Sequence, residues 1–212
     1  MRTDDLVRAL VADGPIRERP LAVSLPAFAA VGLVGTLALF VVVLGLRPDI
    51  GAAAQTVRFV LKPVEMGLFA ALGGLLAIRL AQPGSSTRGL VAGLAVAAGL
   101  LAAGVVGELV AVPAADWGAR LVGSNAAVCL ASIPLLAAPL LAATLWALRR
   151  GAPLHPARAG AAAGLFSATA GATLYGLHCP DDSPFFVAAW YSLATAVVVV
   201  AGALAGRRWL RW

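Results

Sequence analysis

Apolar residues in this chain come in long unbroken blocks, and block length most limits how it can fold. Six stretches, residues 21–46, 57–80, 89–112, 124–148, 159–177 and 184–205, are dominated by Ala, Leu, Val and Gly and carry few charges or none. About 20 helical residues cross a hydrocarbon layer about 30 Å thick, so each block is of spanning length. Backbone groups in lipid must be hydrogen-bonded within the segment, and for blocks of this length that means helix. The expected fold is all-α, a polytopic six-helix transmembrane bundle. Charged residues are 12% of the chain against about 25% in soluble domains. That excludes a soluble globular enzyme, a disordered chain and a disulfide-rich secreted domain.

The second block is the least regular, because Arg58, Lys62 and Glu65 occupy its start. Its clean apolar part is 66–78, and it is expected to begin as an interfacial turn with Pro63 marking the change. The first block, 26 residues long, exceeds a signal-peptide core of about 7–15 and is expected to remain as an anchor.

Sidedness follows from the basic residues, which favour cytoplasmic loops. With the N-terminus inside, the inner segments hold Arg2, Arg8, Arg17, Arg19, Arg79, Arg88, Arg149, Arg150, Arg158, Arg207, Arg208 and Arg211. The outer segments hold only Arg47, Arg58, Lys62 and Arg120. Both termini are therefore expected in the cytoplasm, with the chain in a bacterial inner membrane. The organisation is a cytoplasmic segment, 1–20, followed by a six-span domain, 21–212, with short loops and a basic tail. No loop is long enough to bury a core. Trp190-Tyr191 and the tail Arg207-Arg208-Trp209-Leu210-Arg211-Trp212 read as interfacial anchors. Gly89-x-x-x-Gly93, Gly160-x-x-x-Gly164 and Gly202-x-x-x-Gly206 would permit close helix packing. Pro134 and Pro139 are expected to kink the fourth span.

The N-terminal segment opens Thr3-Asp4-Asp5-Leu6. Thr3 can cap a helix whose first turn holds two acids, where the helix dipole favours anions. Leu6, Val7, Leu10 and Val11 then form one apolar stripe, and Asp13-Gly14-Pro15 ends the element. About ten residues of helix are marginal alone in water. The stripe must cover the membrane surface, the inner ends of the bundle, or a partner's groove.

The assigned topology brings scattered residues to one level. Cys129 falls roughly 8 Å below the outer surface, at about 1.5 Å per helical residue. His178 and Cys179 sit at the outer mouth of span five, followed by Asp181 and Asp182, and Glu108 lies about one turn from the outer end of span three. Three chemistries fit this set. Cys129 can be a small apolar residue with His178 at a helix end. The two cysteines can form a redox pair. Or Cys129, Cys179 and His178, completed by Asp181 or Glu108, can bind a soft or borderline metal. Glu108 can also pair with Arg120, or serve as the ion site of a small transporter or exporter. The chain has no Gly-rich phosphate loop, serine nucleophile elbow or His-Glu-x-x-His, so an enzyme is not expected. Neither nucleic acid nor a small-molecule substrate is expected as a direct partner; the bilayer is.

Several stretches together resemble the NrsF-like, six-span anti-sigma factors. They are Thr3-Asp4-Asp5-Leu6, Leu46-Arg47-Pro48-Asp49, Cys129 ahead of Ile133-Pro134, Arg149-Arg150-Gly151-Ala152-Pro153, His178-Cys179-Pro180-Asp181-Asp182-Ser183-Pro184 and Trp190-Tyr191. The resemblance covers essentially the whole chain and is most specific from His178 to Pro184. It implies a protein that holds an extracytoplasmic-function sigma factor inactive at the membrane. The N-terminal residues Thr3, Asp4, Asp5, Leu6 and Leu10 would contact the sigma factor. Cys129 and Cys179 would receive a thiol-reactive metal or oxidant signal, supported by His178, Asp181, Asp182 and Glu108.

Overall fold

The computed structural model describes residues 2–12 and 21–211. These residues form helices joined by short turns, with no strand among them. In chain order they are α1 (Thr3–Ala12), α2 (Leu21–Val43), α3 (Ile50–Ala53), α4 (Val57–Leu80), α5 (Arg88–Ala111), α6 (Trp117–Val122), α7 (Ala126–Leu148), α8 (Pro156–Gly176) and α9 (Pro184–Trp209). Helices α2, α4, α5, α7 and α9 are long and apolar enough to cross a membrane.

The remaining expected span forms α8, 21 residues long but rich in Gly, Ala, Ser and Thr. Its composition follows from its place. It packs against α4, α7 and α9, and Ala159, Ala163, Ser167, Ala168, Ala172 and Tyr175 are fully buried along it. A helix facing other helices on most sides needs small side chains more than apolar bulk. The Ser and Thr hydroxyls are satisfied locally: Ser167 donates to the carbonyl of Ala163 at 2.8 Å and Thr169 to that of Leu165 at 2.7 Å.

Two of the three glycine motifs meet here. A methyl group on Gly164 would lie 2.6 Å from the Val198 carbonyl oxygen, and one on Gly206 would lie 2.5 Å from that of Pro156. Gly160 and Gly202 face each other's carbonyls more tightly still. Helices α8 and α9 therefore approach backbone to backbone, which no other residue allows. Gly89 faces open space and Gly93 meets only the end of Leu72, so the third motif is not a contact of this kind.

Elsewhere α7 keeps its helix through Pro134 and Pro139 and packs against α2, where Thr36 donates a buried hydrogen bond to the Leu136 carbonyl at 3.0 Å. The loosest long helix is α5, in which only Ala97 and Glu108 are buried.

Several boundaries differ from expectation. Helix α2 stops at Val43 rather than 46, because Leu44 and Gly45 both donate to the Phe40 carbonyl and Gly45 adopts φ +69°. That left-handed C-cap strongly favours glycine. Pro63 does not mark a break: α4 runs unbroken from Val57, capped by the Thr56 side chain, which accepts from the Phe59 amide at 3.3 Å. Thr3 is the first helical residue rather than the cap, since the Arg2 carbonyl accepts from the Asp5 and Leu6 amides. Tyr191 is a core residue, not an interfacial anchor. It is buried against Tyr175 and Phe186, and the neighbouring Trp190 donates to the Leu121 carbonyl at 2.9 Å. Both sit in a π-turn, Val187–Tyr191, within α9. The expected helix stop at Asp13-Gly14-Pro15 lies outside the described residues, as do the rest of segment 13–20 and Trp212.

Candidate functional site

Helices α2, α7, α8 and α9 and the loops between them meet at one end of the bundle. The segment 177–183 links α8 to α9 there. It leaves α8 through a tight turn, with the amides of His178 and Cys179 both donating to the Tyr175 carbonyl. It enters α9 as the sequence suggests: Ser183 caps the helix, accepting from the Phe185 amide, and Pro184 takes the first helical position. A turn this short cannot satisfy its own polar groups, and neighbouring elements supply the partners.

Lys62 of α4 is the centre of that supply. It is 2% exposed, and its Nζ donates to the Cys179 carbonyl at 2.8 Å, to the Asp181 carbonyl at 3.3 Å and to Asp182 Oδ1 at 2.6 Å. Its stem passes Gly176, where a methyl group would lie 3.5 Å from the lysine Cε. Arg47, in the α2–α3 loop, closes the other side. Its Nη1 reaches Asp182 Oδ2 at 2.8 Å and the Cys179 carbonyl at 3.3 Å, while its Nε and Nη2 hold Asp49 in a two-pronged pair at 2.7 and 2.8 Å. The Arg47 guanidinium holds the Asp49 carboxyl below the usual carboxylate range, and hydrogen bonding to Asp49 raises Arg47 in turn. Both cations also lie over the Phe59 ring, at 5.6 and 5.9 Å. We call this arrangement the clamp.

The expected site residues are placed as follows. Asp181 caps α7 from across the bundle, accepting from the Asn125 amide at 2.9 Å and the Ser124 amide at 3.1 Å. Those are the free donors of a helix start, and a carboxylate suits them. Asp182 belongs to the clamp. His178 Nδ1 lies 3.1 Å from the Gly45 carbonyl, tying the loop to the end of α2. Glu108, 3% exposed, accepts from Arg120 Nη1 at 2.9 Å and Ser183 Oγ at 3.3 Å and pairs with Arg58 at 3.4 Å. The Arg120 pair is one the sequence offered.

Cys129 and Cys179 are free thiols with no exposed surface, and both belong to one apolar cluster with Tyr175, Tyr191, Phe186 and Ile133. Burial pushes the Cys179 thiol above its ordinary range, outweighing the opposite pull of Lys62. Reactive cysteines are ionised and accessible; Cys179 in this conformation is neither. Among the described residues no three His, Cys, Asp or Glu are grouped to hold a metal ion. His178, Asp181, Asp182 and Glu108 each already have protein partners.

Helix α1 is exposed. Thr3, Asp4, Asp5 and Leu6 all face outward, with Leu6, Val7 and Val11 at 43%, 53% and 76% exposure. The side chain of Leu10 lies outside what is described. Sequence reasoning gave Arg47 and Lys62 no pairing role: both were counted as topology charges, Arg47 within a family-like stretch and Lys62 as an irregularity of the second block. The available signal was that Lys62 is the single lysine and falls inside an apolar block, where a cation is costly without partners.

Long apolar helices, close glycine packing and one end shut by an ion-paired loop define an all-helical protein, with five helices long and apolar enough to cross a membrane. The chain matches the family model "Negative regulator of sigma F" over residues 10–212, and it belongs to that family. It is similar to "Anti-sigma-F factor NrsF" of Caulobacter vibrioides, at 41% identity over 216 aligned residues and the full length of both chains. It is also similar to "Probable anti-sigma-F factor NrsF" of Azospira oryzae, at 32% identity over 214, again full length. No solved structure matches the chain.

Proposed function

We propose that the protein is an anti-sigma factor of the bacterial inner membrane, with six spans and both termini in the cytoplasm. It holds an extracytoplasmic-function sigma factor through its N-terminal segment and releases it when a thiol-directed signal reaches Cys129 and Cys179. The carrying observation is α1: a ten-residue helix with an acidic first turn and exposed Leu6, Val7 and Val11, in a chain whose full length is similar to two anti-sigma-F factors. An amphipathic helix whose described side chains are all exposed is suited to a partner's groove. Asp4 and Asp5 favour a basic rim on that groove.

The clamp supports a route for the signal. Cys179 lies inside the loop that Lys62 and Arg47 hold, and Arg47 follows α2, the helix after the α1 segment. A group added to a buried thiol cannot fit the closed packing, so it favours a state in which the loop has moved. Moving the loop displaces Arg47 and the α2 end that His178 touches. Turning a partner from about 99% bound to about 99% free needs roughly 5.5 kcal/mol of preference between the two states. Covalent or metal chemistry at a thiol is on that scale. The ion-site reading of Glu108 finds no support, because its carboxylate is already held by two arginines and Ser183.

Two measurements test the halves separately. Full-length chain captured from detergent-solubilised membranes should bring down a sigma factor, and Asp4→Lys with Asp5→Lys should abolish recovery; undiminished recovery overturns the docking assignment. Cys129→Ser and Cys179→Ser should each alter basal or induced output from sigma-dependent genes. If both outputs stay at wild-type levels in both variants, the cysteines are not the input.

A further inference from the structure

At the end of the bundle opposite the clamp, a cleft of about 400 Å³ opens between α5 and the packed helices α4, α8 and α9. Leu76 and Leu80 of α4, Val91 of α5, Leu165 of α8 and Val199 of α9 make its walls apolar. The cleft is reached from the side, because α5 is the loosest long helix and Val91 is 54% exposed. From Arg158 to Leu165 its α8 wall is roughly 10 Å long, at about 1.5 Å per residue.

Among the described residues lining the cleft, Arg158 alone is charged. Its side chain is exposed, and no described carboxylate, carbonyl or ring holds it. Thr87, at the start of α5, lines the same cleft with a hydroxyl that makes no capping bond. The surrounding charge is one-sided. The Ala152 amide donates to the Ala81 carbonyl and Gly206 meets the Pro156 carbonyl, so Arg79, Arg88, Arg150, Arg158, Arg207 and Arg208 all belong to this end. Among the described residues of 21–211 the acids are Asp49, Glu65, Glu108, Asp116, Asp181 and Asp182, all in the other half of the bundle, and the ion pairs are there too. The structure thus holds an apolar slot with an accessible, unmatched cation at its mouth.

We propose that this cleft holds an anionic phospholipid, with one acyl chain in the slot beside α5 and the phosphate on Arg158. Each part of the site selects this occupant. An acyl chain suits a slot that is apolar from Leu80 to Leu165 and open sideways. The arginine fork takes two phosphate oxygens and leaves an ester oxygen for Thr87; a fatty-acid carboxylate held the same way has no third oxygen. A zwitterionic headgroup would bring its own cation among arginines that no acid offsets, so a net negative headgroup is favoured. The proposal rests on the reading that the long helices span a bilayer, and it needs neither sigma-factor docking nor thiol sensing.

The test is native mass spectrometry of the full chain, released from maltoside micelles with dioleoylphosphatidylglycerol or dioleoylphosphatidylcholine added. Phosphatidylglycerol should bind about tenfold more tightly, the effect of one charge-assisted pair. Arg158→Gln should remove that preference. Arg150→Gln, the same loss of charge at the same end but stacked on Phe28 of α2, should keep it. Val91→Trp, which fills the slot and spares both polar residues, should weaken phosphatidylglycerol binding. Excess glycerol 3-phosphate should not displace the lipid, and oleate should bind no better than phosphatidylcholine. The proposal is overturned if the two phospholipids bind equally, or if Arg150→Gln loses as much preference as Arg158→Gln. Displacement by glycerol 3-phosphate would make the site one for a free anion, and oleate matching phosphatidylglycerol would make it one for a fatty acid; either overturns it. Reconstitution separates this site from the membrane reading. A chain that enters phosphatidylcholine nanodiscs yet shows no headgroup preference refutes the site alone, and a chain that stays outside the discs refutes both.

Discussion

Lys62→Met removes the cation that ties three acceptors of the 177–183 loop to α4. Methionine keeps most of the stem's apolar contact, so the change reports on the ammonium. Removing one partner of a buried ion pair costs about 3–5 kcal/mol. Arg47 still holds Asp182 at 2.8 Å and the Cys179 carbonyl at 3.3 Å, while the Asp181 carbonyl loses this bond. That residual pairing places the cost at the low end, about 3 kcal/mol. At about 1.4 kcal/mol per tenfold, the open-loop population rises roughly a hundredfold. Cys179 is fully buried when the loop is closed, so its maleimide labelling rate tracks that population. In a Cys129→Ser background, labelling in maltoside micelles should be about a hundred times faster in Lys62→Met. Arg149→Met, at the far end of the bundle, should leave the rate unchanged. A rise of less than threefold with an unaltered melting temperature would refute the view that Lys62 holds the loop shut.

Three further outcomes are expected. Gly160→Ala sets a methyl group against the α9 backbone, so overpacking falls at the top of its usual range, about 3 kcal/mol. Gly89→Ala faces open space and should gain up to about 1 kcal/mol; SDS titration with helicity as readout compares the two, and equal effects contradict the close-packing account. Because burial raises the Cys179 pKa, its alkylation rate should keep climbing above about pH 8.5, where a free thiol levels off. The same sign means that in alkali the unfolded chain releases a proton the folded chain keeps, so stability falls as pH rises; a plateau at the ordinary thiol value removes this prediction. Finally, Arg58→Ala with Arg120→Ala leaves a buried carboxylate exposed to no cation and should cost about 3–5 kcal/mol. Glu108→Ala frees two arginines that are 46% and 37% exposed and can return to water, so thermal unfolding should show a clearly smaller loss.

How much of this was legible in the sequence depends on how local the cause is. The apolar blocks predicted the long helices to within a few residues, because lipid-spanning length and helical rise are properties of a segment alone. Ser183 and Pro184 announced the start of α9 for the same reason. The block that became α8 was harder to read: its Gly, Ala, Ser and Thr are explained by three neighbouring helices, not by lipid. Tyr191 looked interfacial because aromatic residues near a helix end often are, yet the π-turn and Tyr175 draw it inward. The clamp was invisible for a plainer reason: Lys62 and Asp182 are 120 residues apart, and Arg47 and Asp182 are 135 apart. No spacing rule connects them.

The sequence by itself determined that the chain forms long apolar helices, and it put Cys179, His178 and the two aspartates on one short turn at a helix mouth. Hydrophobic length, capping chemistry and charge bias act along the chain, so they can be read from it. Only the tertiary structure decided which acid pairs with which base. It turned Asp181 into the cap of a distant helix, gave Asp182 to Lys62 and Arg47, and gave Glu108 to Arg58 and Arg120. In a low-dielectric interior each charge must find its counter-charge in space, and spatial neighbours exist only once the helices have packed.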